Sequence, residues 1–263
     1  DVVVDLDHMT VRDDGEFWGG SEPYLQTTFL TVDGTTCTLH AEIALDALIS
    51  GGEPLTVTTE PIGDSPVRTD LFGGHGNLPT VNIGPLELND IGLVTADIPS
   101  AVGRFTATLQ PIPISLRVSG GPFAVEMTIT GLPGFVGVVA LLGEEDFTPD
   151  NAVEAAHAVV AEGVASIVSD VLAEIDLSDL SVDPSAFIER SKQIQDDATA
   201  AAAEQMNLWE LFWGGLVDPD DQLLPEPVFQ FVNALQIGDS VRFEAGHAGE
   251  HGDWVLVGEI RPG

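Results

Sequence analysis

Hydrophobic and polar residues alternate over much of the first 145 residues of the chain. The alternation is clear at residues 103–109 (GRFTATL) and 123–129 (FAVEMTI), and residues 2–11 pass from an apolar run into the same pattern. A period of two places successive side chains on opposite faces of a β-strand. Glycine and proline separate most of these segments, and Asp33-Gly34 is a typical turn dipeptide. The pattern predicts many short strands packed as an antiparallel β-sandwich.

The period of the pattern changes near residue 148. Thr148 and Pro149 fit the N-cap and the first position of a helix, and apolar residues then recur at helical spacing. A short linker separates this helix from a second one, and strand-like segments return near the C-terminus. Residues 41–48 (AEIALDAL) are ambiguous and fit one or two helical turns. We predict a mainly β protein with an α insertion, in three parts: a β-sandwich at 1–147, an inserted helical hairpin at 148–215, and a linker with C-terminal strands at 216–263 that complete the sandwich.

Two apolar features have two interpretations each. Residues 131–143 (GLPGFVGVVALLG) carry no charge, and Trp209, Phe212 and Trp213 close the second predicted helix. The run is too short to span a bilayer, which takes about 20 residues, so no transmembrane helix is predicted. The favoured interpretation is a strand buried on both faces for the run and core packing for the aromatic residues. The alternative is a surface that binds a partner or inserts into a membrane.

The charge balance excludes several classes of function. The chain has 43 acidic residues against 8 Lys and Arg, a formal net charge of −35. A protein that binds nucleic acid by neutralising phosphates needs a basic face, and attraction to anionic lipid needs the same. The apolar content of 44% is too high for a disordered chain. We therefore expect a folded protein that binds no nucleic acid.

The acidity indicates a salty environment. Carboxylates are spread along the whole chain, and an acidic surface of this density repels itself unless cations screen it. The composition resembles that of proteins from salt-accumulating halophiles. A single local function is the alternative, although it would concentrate the charge. The expected location is extracellular or the cytoplasm of a salt-accumulating organism, and the sequence does not choose between them.

Two acidic segments have the composition of an ion-binding site. The first, residues 12–23 (RDDGEFWGGSEP), connects the first two predicted strands, and the second, residues 143–146 (GEED), follows a later strand. Oxygen ligands close together on glycine-bearing loops suit Ca²⁺, which takes six to eight of them in flexible geometry. If the two loops meet at one end of the sandwich, they share a calcium ion. The candidate ligands are Asp13, Asp14, Glu16, Glu22, Glu144, Glu145 and Asp146.

This order of strand, acidic loop, strand and later acidic loop resembles calcium-binding β-sandwiches of the C2-like kind. The resemblance covers residues 1–35 and 135–147 and implies a structural or adhesive role for the ion. The chain departs from that family because its second loop has no Asp-x-Asp pair and because a long helical insertion is not expected. An EF-hand loop is excluded, since its order of acidic residues is missing.

Other candidate chemistry is sparse. Cys37 is the single cysteine and is expected to be a buried apolar residue. His247 and His251 have a zinc-like spacing, but the glycines around them favour the tip of a β-hairpin. His8 and His40 are isolated in strand-like segments, where structural roles are expected. We find no nucleophile elbow, P-loop or dinucleotide-binding motif, and we name no catalytic residue.

The sequence therefore favours a non-enzymatic binding or assembly module, with another protein or a second copy of the chain as its partner. Two alternatives stay open. A hydrolase that uses acidic residues needs only two carboxylates at the right separation, which sequence order does not reveal. A membrane-active or pore-forming protein is the other, with helices that rearrange.

Overall fold

The computed structural model describes residues 1–13, 23–52, 55–70, 75–77, 94–120, 122–144, 166, 228–234, 238, 240–249 and 252–263. These ranges hold two short helices, α1 (Leu45–Ser50) and α2 (Ser100–Gly103). All other elements in them are strands: β1 Val2–Asp13, β2 Pro23–Val32, β3 Cys37–Ala44, β4 Leu55–Pro61, β5 Arg68–Asp70, β6 His75–Asn77, β7 Val94–Asp97, β8 Arg104–Ala107, β9 Ile112–Gly120, β10 Phe123–Leu132, β11 Phe135–Glu144, β12 Val228–Asn233, β13 Val241–Gly249 and β14 Gly252–Pro262.

The strands form three sheets. Sheet I has the order β13-β14-β1-β7, with β8 also paired to β1. Sheet II has the order β12-β11-β2-β5, with β6 also paired to β2, and sheet III has the order β10-β9-β3-β4. All pairs are antiparallel except β3 with β9, which is parallel. The C-terminal strands return to the first sheet, because β14 pairs with β1 over almost its whole length, as their pattern predicted.

Sheet II lies between the other two sheets. Val136, Val138 and Ala140 of β11 pack in one core with residues of sheet I, whereas Phe135 and Val139 pack in a second core with residues of sheet III. A strand covered on both sides is apolar at odd and even positions alike. Within the uncharged run at residues 131–143, the prediction of a strand buried on both faces is confirmed for residues 135–140 and 142 of β11, whereas residues 131–132 end β10.

The first strand changes phase in its middle. Leu6 points into the core, and after it the inward positions shift from even to odd numbers, so that Met9 and Val11 are buried. The cause is a register shift in the pairing with β14 between Leu6 and His8, which leaves Asp7 as the extra residue. An extra residue of this kind is a β-bulge, and it turns every later side chain to the opposite face. The bulge explains why the sequence passes here from one apolar pattern to another.

The turn at Asp33 carries the chain from sheet II to sheet III. Its buried carboxylate accepts hydrogen bonds from the backbone N of Thr35 (2.8 Å) and of Gln110 (3.0 Å). The backbone O of Asp33 accepts from the N of Thr36 and Cys37. The turn predicted from Asp33-Gly34 is present, but it joins two sheets instead of forming a hairpin. The carboxylate thereby fixes the entry to sheet III against the segment before β9.

The mainly β prediction is confirmed, while the details of the sandwich differ. The sequence pattern predicted a pair of antiparallel sheets, and the structure has three sheets with one parallel pair. The reason is that sheet II is apolar on both faces and needs a cover on each. Residues 41–48 divide between the end of β3 and the start of α1.

The predicted hairpin at 148–215 lies outside the described residues except for Ser166, which is helical. No helix in the described ranges is long and apolar enough to cross a membrane.

Candidate functional site

The structure places two of the seven predicted calcium ligands on described backbone. Asp13 is the last residue of β1, where it lies opposite Asp253 of β14. Glu144 is the last residue of β11, opposite Pro23 at the start of β2. Asp14, Glu16, Glu22, Glu145 and Asp146 lie outside the described residues.

The register of β2 and β11 bears on whether the two acidic segments meet. Pro23 is the last residue of the first segment and Glu144 belongs to the second, so one end of each segment lies at the same end of sheet II. The pairing of Asp13 with Asp253 sets two acidic residues opposite each other, an arrangement that like charges destabilise. Among the described residues, no group of three or more His, Cys, Asp or Glu is placed to hold a metal ion. Calcium therefore stays a prediction.

A row of charged residues crosses sheet I. Arg242 on β13, Glu259 on β14, Asp5 on β1 and Arg104 on β8 occupy directly opposite positions on four neighbouring strands. Arg104 donates from Nε to Asp5 Oδ2 (3.0 Å) and also from its terminal nitrogen. Arg261 reaches both carboxylates, at 3.9 Å from each. We refer to these five residues as the sheet I charge row.

The charge row gathers much of the positive charge of the chain. Its three arginines, together with Arg12 near Asp253 (3.7 Å), make four of the eight basic residues. The hydrogen bond and charge of Asp5 raise the pKa of the Arg104 guanidinium, so that group stays charged. The arrangement neutralises its own carboxylates. Its ion pairs link neighbouring strands of sheet I.

Sheet III has one apolar face. In the register of its four strands, Met127, Leu116, Ala41 and Val57 form one row across the sheet. The next row consists of Val125, Val118, Ile43 and Leu55, and beyond it Phe123 pairs with Gly120. Among the described residues, sheet II covers this face around Leu39 and Ile114, and the core there also includes residues of the two rows on β3, β4 and β9: Ala41, Val57, Leu116 and Leu55.

Exposure on β10 rises steadily away from the core. Ile129 is partly buried against the core shared with sheet II. Met127, Val125 and Phe123 are then 46%, 53% and 77% exposed. These three side chains project from the same face of the strand, because they are spaced by two residues. We refer to Phe123, Val125 and Met127 as the β10 apolar edge. Large exposed side chains also occur nearby on α1, at Leu45, Leu48 and Ile49.

The β10 apolar edge belongs to an edge strand. β10 pairs with β9 and, among the described strands, with no other. Folded proteins usually protect such edges with Pro, Lys, a bulge in the strand or inward-pointing charges. Residues 123–129 have none of these, because their single charge, Glu126, lies on the opposite face and the register shift of β10 comes only after Ile129. An unprotected edge can add a strand from another chain by backbone hydrogen bonding.

The charges on the polar face of sheet III are partly compensated. Arg117 on β9 lies between Glu126 on β10 and Glu42 on β3 in the register. Ser119 donates a hydrogen bond to Glu42 Oε1 (2.9 Å), and Ser115 donates to Glu126 Oε1 (3.3 Å). Residues 105–143 carry no charged side chain other than Arg117 and Glu126. In a chain with a net charge of −35, this stretch is electrically neutral.

The remaining histidine candidates lie in strands or outside the described residues. β13 and β14 form the predicted hairpin, with His247 opposite Trp254 and with His251 outside the described residues. His8 Nδ1 lies 2.9 Å from Asp7 Oδ2, and His40 Nε2 lies 2.6 Å from Glu60 Oε2.

Cys37 is buried and free, as predicted. Burial raises the pKa of its thiol from 9.0 to about 11; a hydrogen bond with Thr36 opposes this shift, and the charge of Asp33 adds to it. The thiol is therefore protonated and unreactive at neutral pH.

In comparisons with protein-family models, with curated proteins and with solved structures, no match to this chain was found.

The β10 apolar edge was missed in the sequence. The alternation in residues 123–129 correctly predicted a strand, and alternation is normally taken to mean that the apolar face is buried. A usable signal was nevertheless present in the neutrality of residues 105–143. A neutral stretch in so acidic a chain indicates either core or contact surface, and the structure shows that part of it is exposed.

Proposed function

We propose that this protein is a non-enzymatic binding or assembly module that works at high salt and contacts another protein chain through the β10 apolar edge. The proposal rests on one observation: Phe123, Val125 and Met127 are exposed side by side on β10, which among the described strands forms an unprotected edge within a neutral stretch of the chain. Exposed apolar surface that is rimmed by polar residues marks interaction sites in folded proteins.

The charge of the chain explains why this contact is suited to high salt. Most of the surface repels any acidic neighbour at low ionic strength. At about 1 M salt the Debye length falls to about 3 Å, so the repulsion between two acidic surfaces is screened. Hydrophobic contact is not weakened by that screening. Such a protein therefore associates through its neutral, apolar surface in salt that would weaken an ionic interface.

The helical hairpin and the calcium site are also part of the proposal. Residues 148–215 would form the helical hairpin, inserted where β11 and β12, which pair with each other, need a connection. The acidic residues at the end of sheet II would bind calcium and cross-link segments that otherwise repel each other; the shared position of Pro23 and Glu144 supports this.

A photo-crosslinking amino acid at position 125 tests the function in cells that make the protein. We expect adducts with a protein chain from position 125 and none from position 58, an exposed threonine on β4 at the far edge of sheet III. The absence of any protein adduct from position 125 would contradict the proposal. Turnover of glycan or ester substrates by the purified chain would support a hydrolase instead, and leakage from liposomes would support a membrane-active protein.

A further inference from the structure

The charge and the side chains of the β10 apolar edge indicate which chain binds to it. We propose that the partner is a second copy of this chain, and that two β10 strands pair antiparallel about a two-fold axis at Val125, joining two copies of sheet III into one continuous sheet. This inference rests on the proposed function, because it identifies the chain that the edge binds.

The net charge of the chain indicates where a second copy can bind. Each copy carries a net charge of −35, so the close approach of two copies is most favourable where both surfaces are neutral, even in concentrated salt. The neutral stretch at residues 105–143 includes all of β10 and β9. Its one carboxylate near the edge, Glu126, already lies opposite Arg117 in the same sheet. The edge is therefore the part of the described surface on which this chain meets a copy of itself without charge repulsion.

The side chains select the register. Directly opposite residues of two antiparallel strands lie on the same face of the sheet. A two-fold axis perpendicular to the sheet therefore places odd-numbered residues of one β10 strand opposite odd-numbered residues of the other, so the two numbers add up to an even sum. An axis at Glu126 would set two carboxylates opposite each other, which is destabilising. An axis at Val125 instead sets Glu126 opposite the partner's Ala124 and Phe123 opposite the partner's Met127. That register gains a sulfur–aromatic contact on each side of the central valine pair.

The oligomeric state in solution gives the first test. Light scattering coupled to size-exclusion chromatography should show a dimer at about 2 M KCl, with dissociation as the salt concentration falls. Val125→Asp should weaken dimerisation about tenfold or more, because it buries two like charges at the axis. Thr106→Asp adds the same charge at an exposed position on β8, an edge strand of sheet I, and should leave the dimer intact. A wild-type chain that is monomeric at every salt concentration would overturn the inference.

Engineered disulfides test the register. Directly opposite residues in an antiparallel pair have Cα atoms about 4.5 to 5.5 Å apart, within the range of a disulfide. Val125→Cys alone should form a covalent dimer on oxidation, and so should a mixture of Phe123→Cys and Met127→Cys chains. Neither of the last two should cross-link with itself. The native Cys37 does not interfere, because it is buried. Self-linkage of Phe123→Cys, or no linkage at position 125, would overturn the proposed axis.

The Val125→Cys chain also distinguishes a second copy from the two other possible occupants of the edge, which are another part of the same chain and a different protein. In a reduced monomer, a maleimide reagent should label position 125 rapidly, and dimerisation should slow the labelling. Protection of position 125 in a monomer would show that another part of the same chain covers the edge, and would overturn the inference. A purified chain that stays monomeric but cross-links to a different protein in cells would overturn the inference while supporting the proposed function.

Discussion

Asp5 on β1 and Glu259 on β14 lie directly opposite each other, and Arg261 approaches both carboxylates at 3.9 Å. Two like charges in opposite positions weaken a sheet unless a cation lies between them. Arg104 and Arg242 complete the compensation on the two flanking strands. The arginines of sheet I are thus placed where strand pairing has brought carboxylates together.

The sheet I charge row predicts that Arg104 matters more for stability than other exposed arginines. Arg104→Gln removes two hydrogen bonds to Asp5 and leaves that carboxylate beside Glu259. We expect it to lower the thermal unfolding midpoint by a few degrees at the lowest salt at which the chain is folded, and by less at about 3 M KCl.

Arg12→Gln is the matched control for that substitution. It changes the net charge by the same amount, but Arg12 is more exposed and lies 3.7 Å from its partner Asp253. Its effect on the unfolding midpoint should be clearly smaller, as for most exposed pairs. Equal effects of the two substitutions would show that total charge, and not the row, sets the stability.

The Cys37 thiol predicts a pH dependence of stability. Its pKa is about 11 in the folded protein against 9.0 normally, so folding favours the protonated form. A pKa raised by folding contributes stability that is complete below pH 9 and is lost as the pH rises through 11. The two-unit difference corresponds to about 3 kcal/mol at most. We expect the free energy of unfolding, measured with denaturant, to fall by up to that amount between pH 9 and pH 11.

Cys37→Ala isolates the thiol from other groups that titrate in the same range. The variant is destabilised at neutral pH because it removes a buried sulfur atom. The difference in unfolding free energy between wild type and variant should shrink as the pH rises above 9. A difference that stays constant up to pH 11 would mean that the thiol does not ionise on unfolding in this range.

The Asp33 turn predicts a large effect of a single carboxylate. Asp33→Ala leaves the backbone N of Thr35 and of Gln110 without their acceptor in a partly buried site. Hydrogen bonds to charged groups contribute about 1.5 to 3 kcal/mol each, so we expect a loss of about 3 kcal/mol or more in denaturant unfolding. Asp46→Ala removes an exposed carboxylate from α1 and should change stability by less than about 0.5 kcal/mol. Similar losses for both would contradict the role of the turn.

The sequence predicted strands well and their burial less well. Alternation correctly located β8 and β10, because a period of two follows directly from strand geometry. It did not identify β3, whose second half belongs to the ambiguous segment 41–48, and it did not identify β12. The division into three sheets depends on contacts between distant residues, such as Phe135 with the core of sheet III. Local pattern does not contain that information.

The candidate site shows the same limit. The sequence located the acidic residues, but whether Asp13 and Glu144 come close depends on how sheets I and II stack. The exposure of Phe123 depends on where sheet II ends beneath sheet III. Neither relationship is encoded in the spacing of residues along the chain. Composition was more informative, since the neutral stretch at residues 105–143 contains the exposed apolar strand.

Calcium binding at the end of sheet II predicts a change in stability that ionic strength does not explain. At constant ionic strength, Ca²⁺ at about 100 times its Kd should stabilise the fold by about 2.7 kcal/mol, and the same concentration of Mg²⁺ by less. Asp13→Asn combined with Glu144→Gln should remove most of that gain. Asp97→Asn combined with Glu42→Gln makes the same charge change at exposed positions away from both acidic segments and should retain it. A melting temperature that does not rise with calcium would mean that the acidic segments are only hydrated, and the high-salt environment alone would then account for their charge.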